Sequence, residues 1–298
     1  MLTTTQEEKL VRIAENEQRV YDAGYSRGND AGYDEGLEIG AEDGYNRAYG
    51  EIEHLNAELE QTLYGTDTGG KSQYDEFWDA YQQNGNLTDY RYAFAGKGWT
   101  SKLFKPKYDI VPSGANATYI FYSTNISGDL VELLEAQGIE LNFANASSFA
   151  NTFNSAYNIT RVGTIGSEIA TSFNNCFIYC SALKTIDKII CNSNTTFNST
   201  FNSCPALANI IFEGEIGNNI NFADCPLTEN SAWSVGNALA DLGGWADDIN
   251  NPKTLNISRT TETNLNYNET DEDGNEWNVL DNFIELCNSK GWILEVAE

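Results

Sequence analysis

Phe173-Asn-Asn-Cys-Phe177-Ile-Tyr-Cys-Ser-Ala-Leu183-Lys-Thr-Ile186 decides the fold, because its apolar pattern recurs on both sides of it. Phe149, Phe173 and Phe197 are spaced by 24 residues, as are Phe153, Phe177 and Phe201. The same interval links Ile159, Leu183 and Leu207, and again Val162, Ile186 and Ile210. Each unit therefore reads Phe-x-x-x-Phe followed by Leu/Ile-x-x-Ile/Val: a turn or short helix that buries two aromatics, then a brief strand. One such unit cannot close a core, so neighbours must stack into a right-handed or gently curved solenoid. Its expected core is Phe149, Phe153, Phe173, Phe177, Phe197, Phe201, Leu183 and Leu207, with a fourth, altered unit from Phe222.

Downstream, Ser231 is placed to cap a helix running to about Leu242, Thr254 to Ile257 reads as a strand, Trp277 to Ser289 as a helix and Trp292 to Val296 as a last strand. These units are expected to cap the stack, giving a repeat domain over 141–298. Upstream, the glycine-rich stretch Tyr64 to Lys71 marks a linker. Residues 66–140 then read as a small mixed α/β segment. It has an aromatic helix at Tyr74 to Tyr81, strand-like composition at Tyr90 to Phe94 and Tyr119 to Tyr122, and a short helix at Asp129 to Gln137 stopped by Gly138.

Residues 1–65 form the third unit. They lack proline and are rich in Glu, Ala, Leu, Arg and Gln, which predicts a long helix over 6–63. Gly24, Gly28, Gly32, Gly36, Gly40 and Gly44 recur every fourth residue along it. Six helical glycines cost on the order of 5 kcal/mol relative to alanine, so a lone helix should fray. A ridge without β-carbons, however, lets another backbone approach closely, which predicts self-association. Because a spacing of four exceeds 3.6, the stripe drifts, and helices following it wind right-handed or cross steeply instead of forming a left-handed coiled coil. The alternative reading of 23–50 is a turn-rich linker between two helical pieces. The chain as a whole is thus an α+β multi-domain protein.

The formal net charge of −27, from 44 acidic and 17 basic residues, repels phosphate backbones and anionic lipid. Nucleic acid is not an expected partner. No apolar run long enough to span a membrane occurs, and Met1 to Arg19 reads as polar helix, so neither membrane insertion nor a signal peptide is expected. Five of the six cysteines (Cys176, Cys180, Cys191, Cys204, Cys225) sit among Phe, Ile and Leu and read as small core residues, as opposed to a metal site. His54 is the only histidine and lies in the N-terminal unit, which removes histidine-based catalysis from the repeats. A stack of thin repeats seldom forms the cleft that a carboxylate-pair glycosidase needs, so no catalytic residue and no cofactor is assigned. Glu269-Thr-Asp271-Glu-Asp273-Gly274 opens like a calcium loop, but its twelfth position is Leu280 where a bidentate carboxylate belongs. An acidic surface turn is expected there.

The pattern in Phe173 to Leu183 and Phe197 to Leu207 resembles the bacterial surface-antigen class of leucine-rich repeats. With Ile13 to Tyr25, Phe77 to Gly85 and Phe104 to Asp109, the chain is similar to minor structural proteins with leucine-rich repeats from phages and prophages of gut Firmicutes. That resemblance implies a non-enzymatic virion protein of the tail, baseplate or head. The repeats would bind a host cell-surface protein or glycan, and the N-terminal helix would bind other virion proteins and copies of itself. Analogy with phage appendages suggests a homotrimer. The rival expectation is an adaptor, decoration or assembly protein that binds phage proteins only, and a more distant one is a glycan hydrolase.

Overall fold

Strand Ile159–Gly166 (β2) lies parallel to Thr185–Cys191 (β3), which lies parallel to Asn209–Gly214 (β4). The register repeats the period of the sequence: Val162 pairs with Ile186 and Ile186 with Ile210. A two-residue strand, Gly128–Asp129 (β1), joins the other side of β2. The computed structural model describes residues 90–297 apart from 92, 97–99, 102–103, 105, 107–108 and 248, all within one compact unit, Asn86–Glu298. The predicted N-terminal helix with its glycine ladder, His54 and the aromatic segment 74–81 lie outside the described residues.

Each rung contributes one strand and one double turn. In the turns, Asn151 and Ser155, Asn175 and Tyr179, and Ser199 and Ser203 adopt positive φ between 51° and 64°. Asn and Ser tolerate this left-handed backbone through local hydrogen bonding, which accounts for the asparagine-rich turns. The turns are themselves hydrogen-bonded from rung to rung: Phe149, Asn151, Phe153 and Ser155 donate their N–H groups to Ser172, Asn174, Cys176 and Ile178 carbonyls. With alternate turn amides bonded to the next rung and those between them bonded within the turn, as Thr152 is to the Phe149 carbonyl and Asn154 to the Asn151 carbonyl, the aromatic side chains are held in register.

The buried Phe side chains form two columns. Phe149, Phe173 and Phe197 stack at centroid distances of 4.7 and 5.6 Å. The second column is longer than the 24-residue period predicts, for it runs Phe94, Phe121, Phe153, Phe177, Phe201, Phe222 with neighbouring rings 4.5–6.0 Å apart. Its first two steps span 27 and 32 residues and its last 21. The stack thus continues upstream of residue 141 into the segment read as a separate mixed unit. Of the two segments expected as strands, Arg91, Ala93 and Phe94 in the first and Tyr119 to Tyr122 in the second are turn residues of these earlier rungs, with Tyr119 at φ 60°. The 32-residue rung accommodates the extra chain in helix Leu130–Glu135 (α1), whose N-terminus is capped by the Asp129 carboxylate. Gly163 makes room for it, since a Cβ there would press on Val131.

Beyond β4 the parallel sheet stops. Helix Glu229–Ala238 (α2) packs on β4, and its Ser231 and Ser234 hydroxyls accept the N–H groups of Ile210 and Phe212, the bonds a further strand would have made. Ser231 thus lies inside the helix, which follows Thr228 and ends before Leu242. A second parallel sheet follows, made of Ile220–Phe222 (β5), Lys253–Ile257 (β6) and Trp292–Val296 (β9). Between its strands lie Arg259–Leu265 (α3), the antiparallel pair Asn268–Thr270 (β7) and Glu276–Asn278 (β8), and Val279–Ser289 (α4). Trp277 belongs to β8, and α4 starts after the Asn278 cap. Lys290 ties the two parts together by donating to the carbonyls of Gly236, Asn237 and Leu239 at the C-terminal end of α2.

Candidate functional site

The residues read from the period are packing residues: Phe149, Phe153, Phe173, Phe177, Phe197, Phe201, Leu183 and Leu207 are all buried. Functional groups must come from what the rungs present outward. On the turn edge, the second left-handed position is Ser123, Ser155 and Ser203 in three rungs and Tyr179 in the fourth. Tyr179 is half exposed and so is Tyr157 on the preceding rung. Tyr119, at the first left-handed position, meets the Tyr122 ring at 5.6 Å. A bulky side chain at positive φ costs about 1–2 kcal/mol, which Asn largely avoids and Ser offsets only weakly through local hydrogen bonding. Two exposed or half-exposed tyrosines are thus kept at strained positions.

At the end of the stack an open groove of about 230 Å³ separates the last 24-residue rung from the second sheet. It is lined by Asn198 and Ser199 on one side and by Asn219, Asn221, Thr254, Asn256 and Glu295 on the other, over a base of Phe197 and Ile220. Register builds the second wall: Asn221 pairs with Asn256 and Asn256 with Glu295, so one polar row crosses three parallel strands at a spacing of about 4.8 Å. Of the strand neighbours of Asn221 and Asn256, Phe222, Leu255 and Ile257 are buried and take no part in the groove, while Ile220, also buried, contributes to its lining. The Asn219 side-chain oxygen accepts from the Thr254 N–H and that of Asn221 from the Ala223 N–H. Each amide is thereby fixed with its NH2 free. Among the described residues, the side chains of Asn198, Ser199, Thr254, Asn256 and Glu295 have no hydrogen-bond partner. Asn192 and Asn218, by contrast, serve the backbone, donating to the Glu168 and Ala170 carbonyls and to the Ser193 and Thr195 carbonyls respectively.

The remaining candidates are structural. Cys180 and Cys204 donate their thiol protons to the Phe153 and Phe177 carbonyls of the preceding rung, both at 3.0 Å. Burial pushes every one of the six thiols above its usual range, up to about 12 at Cys191, Cys204 and Cys287, so they are neutral and poorly nucleophilic at neutral pH. Among the described residues no three His, Cys, Asp or Glu side chains are grouped to hold a metal ion, and no helix is long and apolar enough to cross a membrane. In the acidic turn both Asp271 oxygens are used: Oδ1 accepts from the Asp273 and Asn275 N–H groups and Oδ2 from the Asn275 side chain. These bonds, the Asn275 side chain first, lower its pKa and make the loop the connection of β7 to β8. On the main sheet Arg161 holds Asp187 through two parallel bonds of 2.8 Å and reaches Asp129 at 3.1 Å, which locks three strands together.

Neither the tyrosine edge nor the groove follows from the 24-residue period, because both depend on departures from it. A signal for the groove was nonetheless present: Ile220-Asn-Phe222, Leu255-Asn-Ile257 and Leu294-Glu-Val296 each set one polar residue between two apolar ones, the mark of a half-buried strand. No protein family matches the chain, nor does any curated protein or solved structure.

Proposed function

We propose that the chain is a structural and binding protein of a bacteriophage particle. In this reading a leucine-rich-repeat solenoid over the described rungs is displayed from the N-terminal helix, which associates with copies of itself and with other virion proteins through Gly24, Gly28, Gly32, Gly36, Gly40 and Gly44. The observation that carries the binding role is the placement of Tyr179 at a left-handed backbone position, half exposed, where the equivalent turns carry serine. The strained turn does not itself call for a bulky side chain, and exposed tyrosine supplies large, rigid contact area at low entropic cost. The virion assignment is supported by the likeness of the N-terminal, aromatic and repeat segments to phage minor structural proteins.

The test is adhesion of the labelled full chain to intact cells of gut Firmicutes, compared with a Tyr157→Ser, Tyr179→Ser double variant. Saturable adhesion that the double variant loses supports a host-binding face. A chain that captures purified virion proteins but no host envelope would be an adaptor instead.

A further inference from the structure

We propose that the groove lined by Asn198, Ser199, Asn219, Asn221, Thr254, Asn256 and Glu295 binds a neutral oligosaccharide. It is a second site, apart from the tyrosine edge. Its lining matches that ligand class on three counts. Two amides, Asn219 and Asn221, are oriented by backbone donors to their oxygens, so their NH2 groups are fixed donors. Asn198 and Asn256 offer both a donor and an acceptor, and Ser199, Thr254 and Glu295 add acceptors, so a ligand rich in hydroxyls meets both kinds of partner.

Charge narrows the class. The nine lining residues include no Lys or Arg, they include one carboxylate, and the chain carries a net −27, so phosphate, sulfate and acidic sugars are disfavoured. Shape narrows it again. The groove is shallow and open, with the polar row running across β5, β6 and β9, which fits a segment of a chain that continues past the site better than an enclosed small molecule. Because the row is set by main-chain pairing of three strands, its donors need little reordering when a ligand arrives.

Saturation-transfer NMR on the full chain tests this with tetrasaccharides of glucose, mannose and N-acetylglucosamine, and with sialylated and uronic-acid oligosaccharides as acidic counterparts. At least one neutral tetrasaccharide should give saturable transfer, and the acidic ones none. An Asn198→Ala, Asn256→Ala double variant should bind about tenfold more weakly or worse with an unchanged unfolding midpoint, since neither side chain bonds within the described protein. Glu295→Gln should keep the neutral ligand and begin to admit acidic ones. The proposal is overturned if no neutral tetrasaccharide binds, if the double variant binds as well as the parent, or if acidic sugars bind better than neutral ones. Tyr157→Ser, Tyr179→Ser should leave sugar binding intact, so failure of the groove and failure of the tyrosine face are read separately.

Discussion

The Phe177 ring lies over that of Phe153 with centroids 5.4 Å apart and planes 5° from parallel, and its other face meets Phe201 at 6.0 Å and 8°. Each interior rung of the column thus carries the aromatic load of two neighbours. Replacing Phe177 by Ala leaves a cavity bounded by two rings that backbone hydrogen bonds hold in place, so little collapse can fill it. A loss of about 3–5 kcal/mol is expected in chemical denaturation. A loss below about 1 kcal/mol would mean that the rungs relax independently.

Strain at the tyrosine edge gives a variant that separates folding from binding. Tyr179→Asn places at this left-handed position a residue type already found at Asn175, and should raise unfolding free energy by about 1 kcal/mol. The same change should weaken adhesion to host cells. A variant that is less stable, or one that adheres as well as the parent, would remove the argument that Tyr179 is retained for contact.

The cysteines give a pH window. Ala156 fills the position that Cys180 and Cys204 occupy one and two rungs later, so the site accepts a small neutral group and the thiols serve as packing. Burial raises Cys191, Cys204 and Cys287 from 9.0 to about 12. The folded chain therefore keeps protons that the unfolded chain releases. Their contribution to stability is complete below pH 9 and declines as pH rises towards 12, by roughly 1 kcal/mol per unit for each thiol. Denaturant titrations at a series of alkaline pH values should show this decline, and Cys204→Ala should make it shallower. Native thiols should also resist a colourimetric thiol reagent at pH 8 until the chain is unfolded.

Much of the repeat region was legible because its period is strict where the rungs are equal in length. Phe149, Phe173 and Phe197 announce themselves, whereas Phe94 and Phe121 belong to the same structure at intervals of 27 and 32 residues and appear in sequence as isolated aromatics. The loops that absorb the difference, including α1, carry no trace of the period. Tyr119 reads as strand by composition and is a turn residue, since the hydrogen bond from its N–H to the Ala150 carbonyl belongs to the rung-to-rung ladder and not to an extended pair. The groove was less legible still: Asn221, Asn256 and Glu295 are brought together only by the register of β5, β6 and β9, which local pattern does not specify.

The end of the main sheet supplies the last prediction. A parallel stack of this kind has an open edge after its final strand, and unpaired N–H groups there invite another chain to add on. The protein closes β4 with side chains: the Ser231 and Ser234 hydroxyls of α2 accept from the Ile210 and Phe212 N–H groups, each at 2.9 Å. Ser231 is itself buried and shares a 3.0 Å contact with the Thr228 hydroxyl, so its replacement leaves the Ile210 amide without a partner in a dry setting. Ser231→Ala should cost about 1–3 kcal/mol, and Ser234→Ala less, because Ser234 is only partly buried and water can replace it. The double variant should also associate through the exposed edge, seen as larger species in sedimentation that grow with concentration. Ser→Thr at 231 keeps the acceptor and should restore most of the loss if its extra methyl is accommodated beside Thr228. A double variant as stable and as dispersed as the parent would mean that packing of α2, and not its hydroxyls, terminates the stack.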